Sequence, residues 1–255
     1  MEDFIKEITI KAGDAVLEKF GKVGVKYSKA HVSDVVTEAD LISNKILIDS
    51  IKRKYPDHGI VTEETNDYQR DKEYVWIIDP LDGTRNFATG MPLFGVIVGL
   101  AQNSEMKMGA IYLPYQDMLV FAEKSKGAYL NNQKINCSQT KEMAHSYGFS
   151  GASLMGLNRT YLEKINNFAK KDPVWVNTLG SLAVGAVYLA SGKRDWYCSG
   201  GGSVWDYAGP SLILSEAGCI VSDISGSPWK IGGGKGMIAA NKYLHPKLME
   251  IIQNG

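Results

Sequence analysis

Apolar residues recur at helical spacing through the first twenty positions, at Phe4, Ile5, Ile8, Ala12, Ala15, Val16 and Phe20, and Gly21 follows as a stop. The pattern predicts an amphipathic helix over residues 2–20. A polar turn over residues 25–33 comes next, and Ile42, Ile46, Leu47 and Ile51 then carry a second helix to about Tyr55. Thr37 suits the N-cap of that helix. Asp40, three residues on, falls in its first turn beside N–H groups that have no partner inside the helix. Taken alone, Asp40 reads as an ordinary first-turn acid.

The pattern then turns to strands. Ile60-Val61-Thr62 reads as a short strand ending in Glu63-Glu64, and a polar loop runs on to Glu73. Tyr74 to Ile78 reads as a buried strand leading straight into Asp79. Asp79-Pro80 should stop it, because proline has no N–H for a central ladder and restricts the residue before it. Two neighbouring strands would then end in acids, Glu63 and Asp79, at one edge of a sheet. From Phe94, short strands over 94–102, 106–112, 118–123, 127–130 and 133–135, with Asn, Gly and Pro between them, predict an antiparallel meander. Its aromatics Tyr112, Tyr115, Phe121 and Tyr129 read as core. After Cys137, strands over 146–150, 174–177, 195–198, 219–223 and 237–240 mix with helices over 158–170, from the Leu179-Gly180-Ser181-Leu182-Ala183 opening to Ser191, over 204–217 and from about His245. No linker rich in proline, serine or charge divides the chain. The expectation is one unit of α/β character with a first lobe, 1–138, and a second, 139–255.

Composition narrows the function. The 255 residues are enough to bury a full core without staples. Lys plus Arg and Asp plus Glu stand at 28 each, so no basic field points to nucleic acid. Cys137, Cys198 and Cys219 are widely spaced and odd in number, which suits a reducing compartment and argues against a disulfide frame or a zinc site. The sequence opens without a basic and apolar leader, and no run approaches a membrane span. A soluble cytoplasmic protein is the expectation.

Candidate chemistry concentrates in Trp76-Ile77-Ile78-Asp79-Pro80-Leu81-Asp82-Gly83-Thr84-Arg85-Asn86-Phe87. Asp82-Gly83-Thr84 reads as a turn into a helix whose leading N–H groups are open. Two carboxylates beside such groups can hold a divalent cation and a phosphate together. The alternative is an Asp-capped strand-to-helix turn with no ligand. Asp206, in Trp205-Asp206 after Gly200-Gly201-Gly202, is another acid at a helix start and has the same two readings. Other motifs fail. Gly232-Gly233-Gly234-Lys235-Gly236 lacks the spacing of a phosphate loop, and Ser150 lacks the Gly-x-Ser-x-Gly frame of a serine hydrolase. The histidines, His31, His58, His145 and His245, are scattered. Asp79 and Asp82 are three apart and late in the chain, unlike the Asp-x-Asp-Gly-Thr signature of haloacid-dehalogenase-type phosphatases.

The 76–87 motif, with Glu63-Glu64 upstream and Trp205-Asp206-Tyr207-Ala208-Gly209 downstream, resembles the inositol monophosphatase family. Val36-Thr37-Glu38-Ala39-Asp40 and Gly180-Ser181 fall where that family has matching segments, so the likeness covers nearly the whole chain. It implies a layered αβαβα sandwich and a homodimer. It also implies lithium-sensitive, Mg2+-dependent hydrolysis of a small phosphate monoester, inositol monophosphate first among them. Carried over by motif, Glu63, Asp79 and the Leu81 carbonyl would bind one Mg2+, and Asp79, Asp82 and Asp206 a second. A third, weaker ion would rest largely on Glu63. Thr84, paired with Asp40, would orient the attacking water, and the N–H groups of Gly83 and Thr84 would hold phosphate oxygens. Most metal ligands would come from the first lobe, and Asp206 from the second.

Substrate contacts would fall at Gly180, Ser181, Leu182 and Ser199, besides Asp82 and Asp206, and here the chain departs from the family pattern. A glutamate commonly stands seven residues before the Trp-Asp acid, where this chain has Ser199, and Leu182 replaces a small residue. Histidinol phosphate, fructose 1,6-bisphosphate, other sugar phosphates and adenosine 3',5'-bisphosphate therefore stay open. Arg85 would face either solvent or a second anionic group. A different class of reading, a regulatory binding protein on the same fold, is disfavoured by the presence together of Asp40, Glu63, Asp79, Asp82, Thr84 and Asp206, all six of which a pure binding module has no need to carry.

Overall fold

Helix α1 (Glu2–Lys19) buries Phe4, Ile5, Ile8, Ala12 and Val16 along one stripe, as the spacing predicts. The computed structural model describes residues 1–22, 25–28, 35–64, 71–151 and 156–254. Strands β1 (Val25–Ser28) and β2 (Val35–Thr37) pair antiparallel and lead into α2 (Glu38–Lys54), which runs alongside α1. Strand β3 (Gly59–Thr62) pairs parallel with β4 (Tyr74–Asp82). After the short helix α3 (Thr84–Ala88) comes the expected meander: β5 (Gly95–Gln102), β6 (Glu105–Leu113), β7 (Met118–Glu123), β8 (Gly127–Leu130) and β9 (Gln133–Ile135). Together β3 to β9 make a seven-stranded sheet whose spatial order is the chain order.

The second sheet has five strands in the order β11-β10-β12-β14-β13, where β10 is Tyr147–Ser150, β11 Trp175–Asn177, β12 Trp196–Ser199, β13 Ile220–Ser222 and β14 Met237–Ala240. It mixes parallel pairs, β10 with β11 and with β12, with antiparallel ones, β14 with β12 and β13. Helices α4 (Gly156–Ala169) and α7 (Leu244–Asn254) cover one face of it. Helices α5 (Leu182–Ala190) and α6 (Val204–Glu216) lie between the two sheets, and α1 and α2 close the far side of the first. The layers run helix, sheet, helix, sheet, helix. This is the αβαβα sandwich that the sequence motifs imply.

Helix α6 sits unusually close to the first sheet because glycine meets glycine. A Cβ at Gly109 on β6 would lie 2.7 Å from the Gly209 carbonyl oxygen, and one at Gly99 on β5 would lie 3.2 Å from the Gly209 nitrogen. Backbone therefore packs on backbone, and the first turn of α6 reaches the end of β4.

Three expectations change. Strand β4 does not stop at Asp79 but continues through Pro80 to Asp82. Pairing with β3 ends at Thr62↔Ile78, and the register with β5 shifts between Asp79 and Asp82, so Pro80 sits in a bulge where no ladder donor is required. The Pro80 carbonyl is held by the buried Ser43 hydroxyl at 2.6 Å. Residues 25–28, read as the start of a polar turn, form a strand instead, matching the alternation of Val25, Lys26 and Tyr27; the rest of that turn, together with most of the polar loop before Glu73 and with His31, lies outside the described residues. Tyr115 is 55% exposed and stacks edge-on against Phe20 rather than joining the core, while Tyr112 and Phe121 are buried as expected.

Candidate active site

The bulge at the end of β4 sets the site. Asp79 is buried to 2% exposure, and its Oδ1 accepts the Leu81 N–H at 3.1 Å, so the turn holds its own carboxylate. Asp82, two residues past Pro80, is tied to the start of α5: Leu182 N–H donates to Oδ1 at 3.1 Å, Ala183 N–H to Oδ2 at 2.8 Å, and the Ser181 hydroxyl also to Oδ2. Of the segment expected to touch substrate, the Ser181 hydroxyl and the Leu182 amide thus orient Asp82. Gly180 lines the hollow beside them.

Asp206 arrives on α6. It occupies the third helical position rather than the cap, and its Oδ2 takes the Ser203 N–H at 2.5 Å. Asp40 repeats the device on α2: its Oδ2 takes the Thr37 N–H at 2.8 Å and the Thr37 hydroxyl at 2.6 Å. Asp40 Oδ1 meets the Thr84 hydroxyl at 3.0 Å, and that hydroxyl also lies 2.9 Å from the Leu81 carbonyl. Gly83 turns the chain from β4 into α3 at φ 88°, where a side chain would be strained and would meet the Leu93 carbonyl at 2.7 Å.

Asp79, Asp82 and Asp206 converge, each offering an oxygen within 4.8 Å of the others. Glu63, at the end of β3, lines the same hollow outside that cluster. The hollow is about 470 Å³ and is also lined by Leu81, Gly83, Thr84 and Arg85. An adjoining hollow of about 360 Å³ shares Asp82, Arg85 and Asp206 and runs on to Ser150, Asn158, Ser199 and Tyr207. Size does not single these out, since a groove between α4 and α7 holds about 660 Å³. Converging acids do.

Like charges at such range strain one another. Burial first, then the charges of Glu63, Asp82 and Asp206, hold the Asp79 carboxyl well above the usual range. Burial also raises Asp82 against its three donors. Asp206 is pushed up to about 7, by burial first and by the Asp82 and Glu63 charges, with the Ser203 N–H opposing. Burial raises Asp40 too, against its bonds from Thr37 and Thr84. Among the residues lining the hollow, four acids face one cation, the exposed Arg85. A divalent cation fits this environment: the donors are all oxygen, acids outnumber cations among the residues lining the hollow, and the Leu81 carbonyl keeps a lone pair beyond the one facing Thr84.

Two residues that sequence reasoning passed over complete the surroundings. Asn86 Nδ2 donates to the Leu93 and Leu179 carbonyls, each at 2.7 Å, and so clamps the 179–180 turn to α3. It lay inside the 76–87 motif and could have been found there. Asn158 holds the segment after β12 from α4, a contact no local pattern signals.

The family model described as "Inositol monophosphatase family" matches residues 1–255. An inositol-1-monophosphatase of Synechocystis is 34% identical over 96% of this chain and 86% of its own length. A "Fructose-1,6-bisphosphatase/inositol-1-monophosphatase" of Thermotoga maritima is 29% identical over 98% of this chain and 94% of its own length. In structure, the extragenic suppressor protein suhB of Bartonella henselae superposes with a TM-score of 0.92 at 28% identity, covering 99% of this chain and 98% of that one. By sequence along its whole length, as well as by fold, the chain belongs to the inositol monophosphatase family and is a phosphomonoester hydrolase.

Proposed function

We propose that the chain is a Mg2+-dependent phosphatase of a small polyol or sugar phosphate, with inositol monophosphate the leading substrate, working as a single catalytic unit in a cytoplasmic homodimer. The convergence of Asp79, Asp82 and Asp206 within 4.8 Å carries this reading. The three free, buried cysteines accord with a reducing setting, and among the described residues no helix is long and apolar enough to cross a membrane.

Glu63, Asp79 and the Leu81 carbonyl would hold one ion, and Asp79, Asp82 and Asp206 a second; a third would rest mainly on Glu63. When bound, the ions supply Lewis acidity toward phosphoryl oxygens and leaving alkoxide and lower the pKa of nearby water. The protein's own part is orientation. The single Thr84 proton, given to Asp40, leaves the hydroxyl lone pairs as acceptors for the attacking water, so the pair aims that water and draws on its proton. The leading N–H groups at Gly83 and Thr84, at the start of α3, are placed to bind phosphate oxygens.

The test is release of inorganic phosphate from inositol 1-phosphate, histidinol phosphate, fructose 1,6-bisphosphate and adenosine 3',5'-bisphosphate, with Mg2+, with chelator and with lithium. Fastest turnover on the polyol ester, stopped by chelator and inhibited by lithium, is expected. No release from any ester at saturating Mg2+ would remove the reading. Thr84→Val is expected to lower kcat by about 10²–10⁴ while Mg2+ affinity is kept, because the lost group orients water and the variant keeps the proposed metal ligands.

A further inference from the structure

Beyond the acids, the adjoining hollow is polar but carries little charge. Its lining includes Asp82 and Asp206, which belong to the cluster, and Arg85, which is exposed; the rest is neutral. In its wall, Asn158 Oδ1 accepts the Gly200 N–H at 2.7 Å and the Ser199 hydroxyl at 3.3 Å. Ser199 in turn accepts from the Tyr207 hydroxyl at 3.2 Å and lies 3.0 Å from the Gly201 carbonyl. An N–H donor at Gly200 requires oxygen opposite it, which fixes which end of the Asn158 amide is which. Its Nδ2 then donates to none of the described residues, and Asn158 lines the hollow. On the same wall the Ser150 hydroxyl is buried without a hydrogen-bond partner. An unpaired buried hydroxyl such as that of Ser150 is costly, and a ligand hydroxyl is what it and the Asn158 Nδ2 on the same wall could both bond.

We propose that Asn158 reads the alcohol half of the substrate. Its Nδ2 donates to a substrate hydroxyl, and Ser150, turned about its Cα–Cβ bond, bonds a second. The pocket therefore selects uncharged polyhydroxyl alcohols over alcohols bearing an ammonium group. This rests on the phosphatase reading of the acidic cluster.

Asn158→Asp is the informative variant, because it keeps the acceptor that holds Gly200 and Ser199 and replaces only the donor. Values of kcat/KM are measured with Mg2+ for inositol 1-phosphate, for phenyl phosphate, whose leaving group carries no further hydroxyl, and for histidinol phosphate, which bears an amine. The ratio of inositol 1-phosphate to phenyl phosphate is expected to fall about tenfold or more, the loss of one recognised hydroxyl. The ratio of histidinol phosphate to phenyl phosphate is expected to rise. Ser150→Ala should lower the first ratio in the same direction by less. Unchanged ratios overturn the proposal. So does an equal fall for all three esters, which would mean that Asn158 only holds the loop. A wild-type protein that releases no phosphate from any of the three esters at saturating Mg2+ would overturn the phosphatase reading itself, and the proposal with it.

Discussion

Asp79→Asn is expected to abolish Mg2+-dependent phosphate release and, in the same protein, to raise the thermal midpoint of the metal-free form. Asp79 is the carboxylate proposed to be shared by two ions, and it is buried to 2% exposure beside Asp82 and Asp206. Metal stabilisation of a transition state is worth several kcal/mol, so losing it should cost at least about 10³-fold in kcat. Stability moves the other way. Burial and the neighbouring acids raise the folded-state pKa of Asp79, so without a cation its ionised form opposes folding near neutral pH. Asparagine removes that charge and keeps the oxygen that accepts the Leu81 N–H. Each kcal/mol relieved should add about 2–4 °C in a chain of this size. Phosphate release and differential scanning calorimetry on the one variant check both halves.

Gly109→Ala is expected to lower stability and activity together, although Gly109 lies among β6 residues far from the acids in sequence. The new Cβ would stand 2.7 Å from the Gly209 carbonyl oxygen and 3.3 Å from its carbonyl carbon and Cα. Both partners are backbone, so no rotamer relieves the overlap and α6 must lift from the sheet. Such overpacking costs about 1–3 kcal/mol, or a midpoint lower by several degrees. Asp206 stands three residues before Gly209 on that helix, and a shift of about 1 Å at a reacting centre can cost about 10²-fold. Gly185→Ala, where the nearest atom on Phe149 is 3.6 Å away inside α5, is the contrast and should hold or gain stability. Thermal melts and Mg2+ titrations of activity on both variants separate a lifted helix from a general intolerance of alanine.

Much of this molecule was legible in the chain because its signals are local. The period of Phe4, Ile5, Ile8, Ala12 and Val16 is enough for α1, and turn residues at short intervals are enough for the meander. Asp40 could be placed in a first helical turn because it follows Thr37 by three residues, and Asp206 at a helix start because it follows a glycine-rich loop. What was not legible depends on tertiary partners. Pro80 continues a strand because β3 has already ended beside it and β5 slips register, neither of which is written near Pro80. Asp82 is oriented by the start of α5, about a hundred residues later. Asn158 reads as one more polar residue on a helix until Gly200 is brought against it. Glu63 was grouped with the other acids from strand ends, and the structure sets it on the same wall but outside the tightest cluster.

The protonation of that cluster links metal affinity to pH. Asp206 is held up to about 7 and Asp79 is raised as well, so below neutrality a cation must displace protons to bind. The same shift makes the metal-free fold lose stability as pH rises from the ordinary carboxylate range toward about 7, since the folded state binds more protons than the unfolded one across that window. Calorimetric titration of the metal-free protein with Mg2+ at pH 6 and at pH 8, repeated with Asp79→Asn, tests the central claim most directly. The account predicts binding that is tighter at pH 8, by up to about tenfold per pH unit for each proton displaced below the raised pKa values, and that is lost in the variant. Mg2+ binding that is absent from the wild-type protein, or that is the same at both pH values and survives Asp79→Asn, would contradict it.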